Sequence, residues 1–258
     1  MLQRGLQVLA LFASAALLWW RNPACRQTPP LLHDRALWLQ HHAGKLLKIL
    51  GTTVEWHGPR PDSGLLIGNH LGYLDILALS SQSPMTFVAK KDILHWPVIG
   101  QLVNMAGTIW VERTRRHTVG NVVDSMQQAL ASGQLVTLFP EGTSSDGTRI
   151  LPFKPSLLQT ATHLQHVWIA HLRYELTDGD PGTEVAYWGN AAFFPHLLNL
   201  FKKKSIKAIV RCEQTRVTTN NRKLLARNLH QAVTQLGTPL HKPLKVKAQP
   251  AHDSCPAS

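Results

Sequence analysis

Cysteine is scarce in this 258-residue chain, which holds only Cys25, Cys212 and Cys255. The three are far apart, odd in number and part of no Cys-x-x-Cys pair or His/Cys metal spacing. This excludes a disulfide framework and a structural metal, and it points to a reducing compartment. The terminal Cys255-Pro256-Ala257-Ser258 lacks the aliphatic pair of a prenylation box. Acid is also in short supply, with 15 Asp and Glu against 27 Lys and Arg, a formal net charge of +12 and a pI near 10.0. Such a surface seeks a polyanion: nucleic acid, an anionic bilayer, or an acidic partner such as a carrier protein or phosphorylated cofactor. There is no internal repeat and no low-complexity segment. With 44% hydrophobic residues, the length suits one large domain with appendages and excludes a disordered chain.

Charge is missing altogether from Gly5 to Trp20, sixteen residues bounded by Arg4 and Arg21. As a helix this run would reach ~24 Å, short of the ~30 Å hydrocarbon core. Leu17-Leu18-Trp19-Trp20-Arg21-Asn22-Pro23 offers no small-x-small cleavage site, and paired Trp beside Arg reads as an interfacial anchor, so the run is expected to stay as a membrane anchor. Leu32, Ala36, Leu39, Ala43, Leu46, Leu47 and Leu50 then follow helical spacing, with Arg35, Lys45, Lys48 and three histidines mostly on other faces and Gly51 as a stop. That pattern reads as a basic amphipathic helix suited to lying on an anionic leaflet, the alternative being an ordinary helix packed on a core. Arg21, Arg26 and Arg35 outnumber Arg4, which keeps the bulk of the chain on the cytoplasmic side of the membrane.

From Thr53 onward short apolar runs alternate with helical stretches, predicting an α/β fold with a mixed β-sheet flanked by helices behind the N-terminal membrane-associated segment. Strands are expected at Leu65 to Gly68, Thr86 to Ala89, Thr108 to Val111, Leu135 to Phe139, Val167 to Ala170, Glu184 to Trp188 and Ile206 to Cys212. Helices are expected at Leu74 to Ser80, Thr118 to Ser132, Pro155 to Leu164 and Asn221 to Gln235. The organisation expected is a membrane anchor and basic amphipathic helix over 1–51, an α/β domain over 52–237 and a loosely held tail over 238–258.

Three strand ends carry polar clusters. After Gly64-Leu65-Leu66-Ile67-Gly68 comes Asn69-His70-Leu71-Gly72-Tyr73-Leu74-Asp75, an imidazole and a carboxylate five positions apart across a glycine turn. Asp75 folded back onto the ring would fix the tautomer, leaving the other nitrogen of His70 to take a proton from a substrate hydroxyl. No Ser or Cys stands in the motif as a nucleophile, so the substrate itself would attack. The second cluster is Gly107-Thr108-Ile109-Trp110-Val111-Glu112-Arg113, with Arg115 and Arg116 beyond; the fork of Arg113 suits a phosphate. The third is Leu135-Val136-Thr137-Leu138-Phe139-Pro140-Glu141-Gly142-Thr143-Ser144-Ser145, whose turn from Gly142 through Thr143 and Ser144 offers N–H groups and hydroxyls to an anion or a glycerol end. Ligands collect at the carboxyl ends of strands in open α/β sheets, so the clusters should converge on one crevice. Taken singly, each also fits an accidental pair, a solvated base or a plain turn.

Together, Asn-His-x4-Asp, Gly-x-Ile-x-Val-x-Arg and Phe-Pro-Glu-Gly-Thr-Ser-Ser resemble the glycerolipid acyltransferase family that includes lysophosphatidate acyltransferases. The resemblance covers roughly Leu65 to Ala170, and Phe87-Val88-Ala89-Lys90-Lys91 and Trp96-Pro97-Val98-Ile99-Gly100 are similar to the family's connecting segment. It implies His70 as base, Asp75 as its orienting partner, Arg113 as phosphate ligand, and Glu141 and Gly142 as part of the acceptor site. Two positions depart from the pattern. Glu112 stands where the family often has Asp, and the fourth block, usually an apolar pair followed by proline, reads Val167-Trp168-Ile169-Ala170. The implied activity is a membrane-bound O-acyltransferase at the cytoplasmic face of the inner or plasma membrane. It would carry a fatty acyl group from acyl-carrier protein or acyl-CoA to a lysophospholipid, 1-acyl-glycerol-3-phosphate, giving phosphatidic acid. The expected partners are an anionic membrane surface, the thioester donor and the lysophospholipid, with no metal or other cofactor and no nucleic acid. Two rivals stand beside it. One is acylation of another lyso-lipid, such as lyso-ornithine lipid or a lysophosphatidylglycerol-type acceptor, since Tyr187-Trp188-Gly189-Asn190 with the apolar stretch after it is similar to the lyso-ornithine-lipid group. The other is a non-enzymatic basic membrane-binding protein.

Overall fold

The computed structural model describes residues 2–21, 32–96, 99–111 and 118–238. Two helices come first, α1 (Leu2–Arg21) and α2 (Leu32–Leu50). Strands β1 (Thr52–His57) and β2 (Gly64–Gly68) lead to α3 (Tyr73–Ser80), β3 (Thr86–Lys90), α4 (Ile99–Met105) and β4 (Ile109–Val111). Helix α5 (Thr118–Ala131), β5 (Leu135–Leu138), β6 (His166–Leu176), α6 (Pro181–Glu184), α7 (Phe193–Lys202), β7 (Ile206–Arg216) and α8 (Arg222–Gly237) complete the order.

The strands form one seven-stranded sheet in the order β1-β7-β6-β2-β5-β3-β4. All neighbours are parallel except β6 and β7, so the expected mixed sheet is what forms. Strand β2 runs between β5 and β6, with Ile67 opposite both Leu138 and Ile169. Its run of apolar residues is explained by burial on both faces. Leu65 and Ile67 point into a layer with Met126 and Ala129 of α5 and Leu225, Leu229 and Val233 of α8. Leu66 points the other way, toward Leu39 of α2, Leu79 of α3, Met85 and Phe87.

The apolar stripe of α2 is spent on the protein itself. Ala36, Leu39, Ala43, Leu47 and Leu50 are buried, with Leu47 and Leu50 packed among Leu71, Leu74, Phe201 and Ile206. The packed-helix alternative is therefore what the structure shows for these side chains. Val8 of α1 joins the same cluster, and Arg4 donates to the carbonyls of Phe201 and Lys203, tying α1 to the end of α7. Among the described residues no helix is long and apolar enough to cross a membrane.

Other expectations need correction. Glu184 to Trp188 is not a strand: Asp180 caps the short α6 by accepting from the Gly182 N–H, and Val185 and Ala186 are buried in an irregular connection. Burial alone gives that stretch its apolar character. Pro155 to Leu164 forms two 3₁₀ turns, Pro155–Leu158 and Thr160–His163, instead of one helix. Strand β6 extends to Leu176 because it pairs antiparallel with β7 along its whole length. Strand β1, which no strong apolar run announces, adds to the far edge of β7. The tail from 239 lies outside the described residues.

Candidate active site

Because β2 and β5 are adjacent and parallel, the chain leaving Gly68 and the chain leaving Leu138 emerge at the same edge of the sheet. His70 follows the first and Glu141 the second. The Asn69 side chain anchors the turn: its amide donates to the Leu172 carbonyl at 2.9 Å and accepts from the Leu172 N–H at 2.7 Å, continuing the β2–β6 pairing by one more rung.

His70 Nδ1 lies 2.8 Å from Asp75 Oδ2, with the carboxylate fully buried and the imidazole 21% exposed. A carboxylate only accepts, so Nδ1 carries the proton and Nε2 presents a lone pair. The same Oδ2 accepts from the N–H groups of Leu71 at 2.6 Å and Gly72 at 3.0 Å, while Oδ1 accepts from the Tyr174 hydroxyl at 2.7 Å. Asp75 thus both reaches back from the first turn of α3 to the N–H groups of the turn before it and orients the imidazole. Gly72 makes the turn possible. Its φ is +155°, and a Cβ there would meet Tyr187 Cβ and N at 2.9 Å. Below the ring, Phe139 stacks at a centroid distance of 4.3 Å and an interplanar angle of 9°, fixing the imidazole plane from its second side.

Glu141 is 1% exposed, and both of its oxygens are engaged: Oε1 accepts from the His70 N–H and Oε2 from the Leu151 N–H, each at 2.7 Å. Burial pushes its carboxyl up, and those two N–H groups pull it back. In this arrangement Glu141 is a strut that holds the backbone of His70. Gly142 turns with φ +66° beside the Lys154 ammonium. Thr143 is exposed. The Ser144 hydroxyl donates to the Tyr187 carbonyl at 2.5 Å, and the Ser145 N–H to the His70 carbonyl at 2.9 Å. The two turns are therefore laced together, with Tyr187, whose N–H donates to the Leu71 carbonyl at 2.7 Å, as the third strand of the lacing.

The structure thus brings His70, Asp75, Glu141, Gly142, Thr143 and Ser144 to one edge, as expected. Arg113, with Glu112, Arg115 and Arg116, lies outside the described residues. Strand β4, which leads to it, ends at Val111 and runs parallel with β3 and β5, so its carboxyl end faces the same edge as His70. Sequence reasoning missed Tyr174, Phe139 and the role of Asn69. Phe139 alone had a local signal, as the last apolar residue before Pro140. Cys212 offers no nucleophile: it is buried, and burial pushes its thiol up to about 12.

A family model described as Acyltransferase matches residues 53–172, a span that contains the whole of this machinery except Tyr174 and Tyr187. A lyso-ornithine lipid O-acyltransferase of Brucella abortus is 32% identical over 187 residues, 67% of this chain and 70% of that one. The chain belongs to the acyltransferase family. A lyso-ornithine lipid O-acyltransferase of Rhizobium meliloti is 35% identical over 189 residues, and the match spans 67% of this chain and 65% of the relative's length. A 1-acyl-sn-glycerol-3-phosphate acyltransferase of Neisseria gonorrhoeae is 37% identical over 113 residues, 43% and 44% of the two chains. The crystal structure of the 1-acyl-sn-glycerophosphate (LPA) acyltransferase of Thermotoga maritima covers 93% of this acyltransferase and 100% of that chain, with a TM-score of 0.55 at 17% identity, which supports the fold.

Proposed function

We propose that this acyltransferase moves a fatty acyl group from a thioester, acyl-carrier protein or acyl-CoA, to the free hydroxyl of a lyso-lipid at the cytoplasmic face of a membrane. The observation that carries it is the His70–Asp75 pair at 2.8 Å, a half-buried imidazole held by a fully buried carboxylate. His70 Nε2 takes the hydroxyl proton as the oxygen attacks the thioester carbonyl. A tetrahedral oxyanion forms against nearby N–H groups, the C–S bond breaks, and the imidazolium returns its proton to the departing thiolate. The products are an ester and a free thiol, and no step calls for a metal or redox cofactor.

The acceptor is 1-acyl-glycerol-3-phosphate, a reading supported by the Gly107-x-Ile109-x-Val111-x-Arg113 motif, in which Arg113 supplies a bidentate partner for phosphate. A second acceptor, lyso-ornithine lipid, is favoured by the relatives of that name, which align over about two thirds of this chain. Purified protein given equal amounts of both acceptors and each thioester, with products read by mass spectrometry, tests this. The expected result is phosphatidic acid that disappears with Arg113→Ala. Acylated ornithine lipid as the main product would replace the first acceptor by the second, and no acylated product from either would end the reading.

A further inference from the structure

From Val185 to Cys212 the chain contains no acidic residue but five Lys and Arg. Within this stretch the structure leaves large apolar side chains in the open. Trp188 is 44% exposed, Phe194 63% and Leu198 47%, and Ala191, Ala192 and Pro195 between them are exposed too. Phe194, Leu198 and Lys202 are four apart on α7, so they form one line along the helix, and the cations Lys202 and Lys204 are exposed at its end. The opposite side of α7 is buried through Leu200, with Leu197 partly buried beside it, in the core cluster shared with Val8, Leu47 and Leu71. An amphipathic helix with bulky apolar residues facing outward and lysines at their margin has the character of an element lying in a membrane interface.

Its position ties it to the site. The Phe193 ring lies 5.1 Å from Tyr73 and 6.2 Å from Tyr187. The Tyr73 hydroxyl meets His196 Nδ1 at 2.8 Å. Tyr73 is three residues beyond His70, and Tyr187 is bonded to Leu71 and Ser144. At its other end α7 receives Arg4 of α1 on the carbonyls of Phe201 and Lys203, and Lys203 is held by Glu184. The outward face is thus carried one layer from the imidazole, on a helix whose C-terminal end is tied to Arg4 of α1.

We propose that the segment from Trp188 to Lys204 is a docking surface for an anionic bilayer. Phe194, Leu198 and Trp188 enter the boundary between headgroups and acyl chains, Lys202 and Lys204 meet lipid phosphates, and the site's edge faces the leaflet that holds the acceptor. Charge decides the occupant: an acid-free, lysine-edged apolar face matches a layer of phosphates over hydrocarbon. The acceptor's part in this rests on the lyso-lipid reading above, whereas the surface itself does not.

The test labels Leu198→Cys with an environment-sensitive fluorophore in the full chain carrying Cys25→Ser and Cys255→Ser; Cys212 is buried and stays unlabelled. On vesicles containing phosphatidylglycerol the emission should shift to the blue and be quenched by a shallow lipid-borne quencher, with a weaker response on phosphatidylcholine alone. Phe194→Glu combined with Leu198→Glu should raise KM for a vesicle-borne acceptor by about tenfold or more and leave a short-chain soluble acceptor and the melting temperature unchanged. A label that stays in water while the protein floats with vesicles overturns the proposal. So does shielding that appears without lipid as protein concentration rises, which means a second copy, or shielding only by acyl-carrier protein. A label that enters the bilayer of a protein inactive on every acceptor would uphold the surface and remove the acyl-transfer reading.

Discussion

Asp75 accepts four hydrogen bonds, from the His70 ring, the Leu71 and Gly72 N–H groups and the Tyr174 hydroxyl. A fully buried carboxylate needs that many partners, because an unpaired charge away from water is costly. One of the four, the bond to the His70 ring, was legible in the sequence, since the two residues lie five positions apart. Tyr174 was not, because its contact spans 99 residues and depends on β6 pairing in register beside β2. His70→Ala should lower kcat by about 10² to 10⁴ with an unchanged melting curve, and Asp75→Asn should lower it in the same direction by mis-setting the tautomer. Undiminished turnover of His70→Ala would remove the general-base mechanism. Tyr174→Phe offers a finer measurement. Loss of its hydroxyl removes one of the bonds that hold the Asp75 carboxylate in place against the imidazole. The value of kcat should then fall, by about three- to tenfold for one lost hydrogen bond, with KM and the melting temperature little changed. A fall in melting temperature with kcat unchanged would make Tyr174 a packing residue only.

The elements that periodicity found are those whose burial has a simple period. Strand β2, buried on both faces, and α5, with Met126 and Ala129 inward, repeat the pattern their geometry requires. Val185 to Trp188 copied the composition of a strand without its hydrogen bonds, and β1 formed a strand without the composition, because it pairs on one side only. The junction of β6, β7 and α8 carries a consequence in pH. The His171 ring is packed so closely on Gly237 that a Cβ there would come within 2.3 Å of it. Arg211 donates to the carbonyls of Leu236 and Thr238 at the end of α8. Burial, with Arg173 and Arg211 nearby, lowers His171 to about 4 from 6.5. The folded state therefore binds this proton less readily than the unfolded chain. Its contribution to stability is complete above about 6.5 and is lost as pH falls toward about 4. Denaturant midpoints measured across that window should decline less steeply in His171→Gln than in the parent. Parallel declines would show that other groups carry the acid sensitivity.

For the whole molecule, net charge was legible, since it needs no fold to be read. Which side chains the fold keeps for itself was not legible, because α2 and α7 have similar amphipathic patterns and opposite fates. Helix α2 turns Leu39, Leu47 and Leu50 into the core, while α7 leaves Phe194 and Leu198 outside. This difference predicts two distinct truncations. A chain starting at residue 32 loses Val8 and Leu11 from the edge of the core and the Arg4 bonds, a modest loss, and should still melt cooperatively. A chain starting at residue 52 also loses the three buried leucines. At ~2 kcal/mol each they approach the ~5–15 kcal/mol by which a domain of this kind is stable, and their removal uncovers Leu66, Leu74 and Leu79. It should show no cooperative transition by circular dichroism. The shorter deletion should bind anionic vesicles more weakly than the full chain yet measurably, through α7, and adding Phe194→Glu and Leu198→Glu to it should abolish the remainder. A cooperative melt of the longer deletion at the parent's temperature would show that α2 is an appendage. Vesicle binding by the shorter deletion that survives the two glutamates would place the remaining contact on another face.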